Sequence, residues 1–151
     1  MTINDIGPKP QSFNIEHATK ENTDYRSVAW SGRYLQVTLM SIPVGEDIGL
    51  EAHPETDQFL RLDAGRGRVQ MGAAKDKLTF EKEVSDGWCV LVPAGTWHNI
   101  TNIGATPIAG LCDLRARPSY ARQGAGDGGG GRSRQRRRAS GLVSAAKTCA
   151  R

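Results

Sequence analysis

Between residues 25 and 111 no apolar pattern in this chain lasts more than a few residues before glycine, proline or a polar turn cuts it. Tyr25 to Trp30 is a first strand candidate, Ser31-Gly32 a turn, and Tyr34 to Ile42 a second strand. There Leu35, Val37 and Leu39 alternate with Gln36, Thr38 and Met40, the period of a half-buried strand. Further short runs follow at Gln58 to Leu62, Arg66 to Met71, Leu78 to Val84 and Trp88 to Val92, and another begins at Pro107. Ser85-Asp86-Gly87 and a lysine-bearing stretch around Lys75 to Lys77 supply turns. With many short strands and almost no helical period, the chain reads as all-β, a barrel or jelly roll.

Two stretches carry the chemistry. In the first, residues 45–65, Glu51 and His53 are two apart, so on a strand they share a face. Pro54 to Thr56 reads as a turn and Gln58 opens a returning strand, a hairpin that places Gln58 beside Glu51 and His53. In the second, residues 87–102, the apolar run stops at Pro93, turns through Gly95 and restarts at His98, which reads as a second hairpin delivering one imidazole. Glu51, His53, Gln58 and His98 then converge as two imidazoles, a carboxylate and an amide oxygen. That mixed nitrogen and oxygen set suits a divalent Mn, Fe, Ni, Zn or Cu ion, and the lack of thiolate argues against a structural zinc cage. Four protein donors leave open positions on a metal that prefers six. Glu55 and Asp57 read as turn acids, Asn99 and Asn102 as turn and backbone partners, and Trp97, beside His98, as the tryptophan nearest a ligand.

The two stretches resemble the two motifs of the cupin superfamily. Its first motif is a glycine, five residues, His-any-His, three or four residues, a glutamate, six residues and a glycine; Gly45, Glu51, His53, Gln58 and Gly65 fall on those positions. The second is a glycine, five residues, Pro-any-Gly, two residues, a histidine, three residues and an asparagine, matched by Gly87, Pro93, Gly95, His98 and Asn102. Glu51 stands where most metal-binding cupins carry histidine, and Gln58 where they carry glutamate. The swap moves the single carboxylate to another corner and keeps the donor set at about minus one. The resemblance implies a cupin jelly-roll β-barrel with a metal in its mouth and a homodimer made through sheet edges or the N-terminal arm.

It also leaves three functions open. The chain is similar to compact single-domain cupins described as mannose-6-phosphate isomerase-like, which implies a Lewis-acid metal acting on a small oxygenated substrate; Lys75, Lys77 or Arg61 would serve a sugar phosphate. A metal-dependent dioxygenase of the quercetin dioxygenase-like type is the second reading, with Glu51 as catalytic base as well as ligand. A non-enzymatic barrel binding a small ligand or a metal is the third.

At 151 residues one folded domain is expected, flanked by less regular chain: an N-terminal arm 1–24, a barrel 25–112 and a Gly/Arg-rich disordered tail 113–151. The arm holds Pro8, Pro10 and about one helical turn near Glu16 to Lys20, with His17 at the surface. From residue 111 onward ten Lys or Arg face two acids, a net of +8 against +4 for the whole chain, so the barrel is mildly acidic at −4. The arginine cluster at 132–138 fits phosphate neutralisation, yet a solvated tail is the favoured reading, and no nucleic-acid partner is expected. Leu111 to Tyr120 also admits codons that, shifted by one nucleotide, spell Cys-Ala-Ile-Tyr-Ala-Pro-Val-His-His. Similar cupins carry an Ile-Tyr-Ala-Pro segment there, so the tail reads as a candidate frameshift product that would shorten the last strand. Cys89, Cys112 and Cys149 show neither paired nor zinc-type spacing, and no apolar run nears 18 residues, so a cytoplasmic protein without membrane contact is expected.

Overall fold

In the computed structural model, which describes residues 3–116, the alternating runs become strands of two antiparallel sheets. They are β1 (Arg26–Ser31), β2 (Leu35–Ile42), β3 (Thr56–Ala64), β4 (Arg66–Gly72), β5 (Phe80–Ser85), β6 (Cys89–Val92), β7 (Trp97–Asn102) and β8 (Ile108–Ala116). The large sheet has the order β1-β2-β8-β3-β6 and the small sheet β5-β4-β7. This is the jelly-roll barrel expected of the chain. The basic tail and the arginine cluster lie outside the described residues, apart from the end of β8. That strand pairs with both β2 and β3 as far as Arg115, so no edge opens there. No described helix is long and apolar enough to cross a membrane.

Strand alternation sorts the core into two layers. Side chains between the sheets, among them Met40, Leu60, Leu62, Val69, Val90, Ile100 and Ile108, form the larger buried cluster. The outer face of the large sheet is covered too, because Leu39, Ala29 and Leu111 pack with Ala18 under the N-terminal arm. This is why β2 is buried on both faces where a half-buried strand was expected. At roughly 1.5–3 kcal/mol per fully buried aliphatic side chain, the inner layer supplies most of the apolar stabilisation.

The arm carries one short helix, α1 (Ile15–Glu21), whose first turn is capped by the Asn14 side chain accepting from the His17 amide at 2.9 Å. His17 is at the surface, paired with Glu21 at 3.1 Å. The helix is fixed to the barrel by Asp63, buried near the end of β3, which accepts from the Thr19 hydroxyl at 2.6 Å and pairs with Arg61 at 2.7 Å.

Neither motif forms the hairpin read from the sequence. Residues 46–53 do not fold back on β3; they run beside β7 in the other sheet, with bridges Asp47 to Thr101 and Glu51 to His98. Likewise β6 ends in the large sheet and β7 begins in the small one, so the turn through Gly95 is a corner between sheets. Proline and glycine mark such corners as readily as hairpin turns, and the local pattern cannot tell them apart. Asp57 braces the corner by accepting from the Ala94 amide at 2.9 Å, and the Gly95 amide donates to the His53 carbonyl at 2.8 Å. Buried Asn102 donates to the carbonyls of Ile42 and Thr106, a backbone clamp as expected.

Candidate metal centre

The corners place the expected donors on converging walls. His98 leaves β7 toward the interior, Glu51 lies opposite it across a two-bond bridge, and His53 follows two residues on. Donor atoms of Glu51, His53 and His98 all lie within 4.8 Å of one another. Glu51 Oε1 is 3.4 Å from His53 Nε2 and 3.6 Å from His98 Nε2, too long for good hydrogen bonds. Gln58 sits on the inner face of β3, where its Nε2 donates to Cys112 Sγ at 2.8 Å. That bond holds the amide so that Oε1 is its remaining polar atom.

Glu51 Oε1, His53 Nε2, Gln58 Oε1 and His98 Nε2 are all buried without a hydrogen-bond partner. Native interiors seldom leave such atoms unsatisfied, and three of these four, on Glu51, His53 and His98, also gather within 4.8 Å of one another, as a group that binds something would. The donor chemistry fits a divalent cation. His98 is prepared for it: Nδ1 faces the Thr96 carbonyl at 3.1 Å, which directs Nε2 inward. Burial holds the His98 pKa below the usual imidazole value, outweighing the Thr96 contact and the Glu51 charge that favour protonation. Glu51 and His53, each 29% exposed, stand at the solvent side, while His98 and Gln58 are buried.

Cys112 was not singled out from the sequence as part of this site. Burial pushes its thiol pKa up, and the Gln58 bond and Arg26 partly offset that. Arg26, also missed, reaches to 4.0 Å from Glu51 Oε1 across the seam between β1 and residues 46–53. No local pattern signals either, because each arrives from a strand distant in sequence.

Three other expectations change. Trp97 does not share the site with His98: neighbours on a strand face opposite ways, and Trp97 lies on the outer face under the Lys75 ammonium, 4.7 Å from its ring. Arg61 points to the outer face and is engaged by Asp63, so neither it nor Lys75 is placed to hold a phosphate at the site. Trp88, which as part of the apolar run before Pro93 is expected in the barrel wall or core, is instead exposed near Lys82. A separate apolar cavity of about 520 Å³ is lined by residues of β4, β5 and β6, among them Met71, the register partner of His98.

Residues 38–112 match the Cupin domain family. The chain is 51% identical over 120 residues to the uncharacterised protein YrkC of Bacillus subtilis, covering 80% of this chain and 64% of that one. It therefore spans less than two thirds of that relative's length. The crystal structure of BH2720 from Bacillus halodurans superposes with a TM-score of 0.74 at 53% identity, covering 76% of this chain and 86% of the other. A double-stranded β-helix protein from Klebsiella pneumoniae shares the fold at 15% identity and a TM-score of 0.60, over 73% of this chain and 88% of that one.

Proposed function

Because this chain belongs to the cupin family, we propose that it is a small metal-dependent enzyme acting on a small oxygenated substrate, with Glu51, His53, Gln58 and His98 holding a divalent cation. The observation that carries this reading is the set of four buried, unpartnered donor atoms at those residues. When bound, the cation supplies Lewis-acid polarisation of a substrate oxygen.

The chain's own residues divide the remaining work. His98 and Gln58, deep and oriented by Thr96 and Cys112, hold their donors in place without reorganisation. Glu51 is at the solvent side, where a substrate entering the mouth meets it first. A carboxylate there can take a proton from one substrate atom and return it to a neighbouring one. That supports proton-shuttling isomerase chemistry, of the mannose-6-phosphate isomerase-like kind.

The test is elemental analysis of protein purified without added metal, beside the Glu51→Ala, His53→Ala, His98→Ala triple variant. Near-stoichiometric Mn, Fe, Ni, Cu or Zn that vanishes in the variant is the expected result, and zinc would weigh for Lewis-acid chemistry. No metal, even after reconstitution, leaves only a barrel that binds a small ligand.

A further inference from the structure

Arg26 opens β1 and pairs in register with Met40, whose side chain belongs to the inner core layer, so Arg26 also faces the barrel interior. It stands on the edge strand of the large sheet, and the hydroxyl of the preceding Tyr25 donates to the Asp47 carbonyl in the segment 46–53. Among the described residues, Glu51 is the only one whose carboxylate comes within 4.0 Å of its guanidinium. At that distance the contact is not a hydrogen bond. The Arg26 side chain is 45% exposed, so its donors lie at the mouth of the site, free to engage an arriving group.

The charges favour an anion there. Two neutral imidazoles, an amide and one carboxylate carry about minus one, and a divalent cation with Arg26 turns the sum to about plus two. Glu46 and Asp47 lie on the same segment, but the Asp47 carboxylate is turned to the Gly49 amide at 2.7 Å. A guanidinium presents a planar fork that matches a carboxylate with two parallel hydrogen bonds. Arg26 lies 4.0 Å from Glu51 Oε1, so a carboxylate seated on it would sit beside the donors that would hold the cation.

We propose that Arg26 is the residue that binds the substrate's anionic end, and that the substrate is a small carboxylate bearing an adjacent hydroxyl or carbonyl oxygen. This rests on the metal reading above and names the substrate class for the same site. Arg61 and Lys75, two of the three cations expected from the sequence to hold an anion, are engaged on the outer face.

The experiment has two stages on the full chain. Manganese is titrated first by calorimetry into wild type, Arg26→Gln and Arg26→Lys. Glycolate, ethylene glycol and methyl phosphate are then titrated into the metal-loaded proteins. Glycolate is expected to bind saturably and at least about tenfold more tightly than ethylene glycol, which keeps the oxygens but lacks the charge. Arg26→Gln should weaken glycolate about tenfold and leave ethylene glycol alone, while Arg26→Lys keeps part of the affinity. Manganese affinity should not fall in either variant, which separates loss of the anion contact from collapse of the site. Glycolate affinity within twofold of wild type in Arg26→Gln overturns the assignment, and methyl phosphate binding more tightly than glycolate overturns the carboxylate class. A wild-type chain that takes up neither manganese nor iron, nickel, copper or zinc titrated in its place sinks the metal reading itself, and this proposal with it.

Discussion

Glu51 and His98 are joined twice through the backbone, each amide donating to the other's carbonyl at 3.1 and 2.9 Å, while their side chains face each other at 3.6 Å without a hydrogen bond. The backbone bonds fix the spacing, so the gap between Oε1 and Nε2 is held open. Two candidate ligands of opposite character are kept apart by the sheet that carries them, which is preorganisation in its simplest form.

Gln58→Glu restores the carboxylate that most metal-binding cupins carry at this corner, and its effects should have opposite signs with and without metal. Without metal, a second buried carboxylate near Glu51 loses the amide bond to Cys112 and adds like-charge repulsion, so the midpoint of thermal unfolding should fall. With metal, the added charge should tighten binding about tenfold or more, and the metal-induced rise in midpoint should grow. Differential scanning fluorimetry with and without manganese measures both; a fall that metal does not reverse would show that Gln58 is not a ligand.

The lowered pKa of His98 sets a pH dependence for the metal-free protein. The unfolded chain takes up its proton near 6.5, and the folded chain only at lower pH. Between those two values the unfolded state binds more protons, so stability falls with falling pH. The stabilising contribution is complete above 6.5 and is lost as pH drops through the folded value. Urea unfolding of chelator-treated protein at pH 7.5 and pH 5.5 should show this loss. His98→Asn should flatten the difference, and an unchanged slope in that variant would assign the effect to another group.

The strand alternation and the motif spacing already pointed to the sheet content and to the three residues whose donors gather at one point. What stayed hidden was everything that depends on which strands become neighbours. Pro93-Ala94-Gly95 reads as a hairpin because nothing local distinguishes a turn within a sheet from a corner between two. For the same reason a hairpin reading sets Gln58 beside Glu51 by pairing, whereas β3 pairs with β6 and β8 in the other sheet. Arg26 was invisible as a site residue because it lies 25 positions before Glu51 and its inward direction follows only from register with Met40.

Asp63 ties helix α1 to the barrel, and removing it should loosen the arm before the core. Asp63→Ala deletes both the Thr19 and the Arg61 contacts and leaves the Thr19 hydroxyl without this partner inside the fold. A cost of about 2–3 kcal/mol is expected. Hydrogen exchange should show faster opening of Ile15–Glu21 than of β3 or β8, while metal affinity stays close to wild type. Uniform acceleration across all strands would mean that the arm and the core unfold as one unit.

Gly65 and Gly95 occupy motif positions with the same backbone sign and different surroundings, which separates conformational strain from crowding. Both have positive φ, +87° and +78°, so alanine at either site meets the left-handed penalty of about 1 kcal/mol. At Gly95 a Cβ would meet nothing within 4 Å, and the cost should stop there. At Gly65, where the chain crosses from β3 to β4, the new Cβ would fall 2.9 Å from Ile108 Cα and from the Pro107 carbonyl oxygen. Those are backbone atoms of the adjoining strand and cannot step aside without disturbing the β3–β8 register, so Gly65→Ala should cost at least about 2 kcal/mol more than Gly95→Ala. Denaturant titration of the two variants measures the difference. Equal losses would mean that the corner at Gly65 relaxes freely, and that its glycine is needed for backbone sign alone.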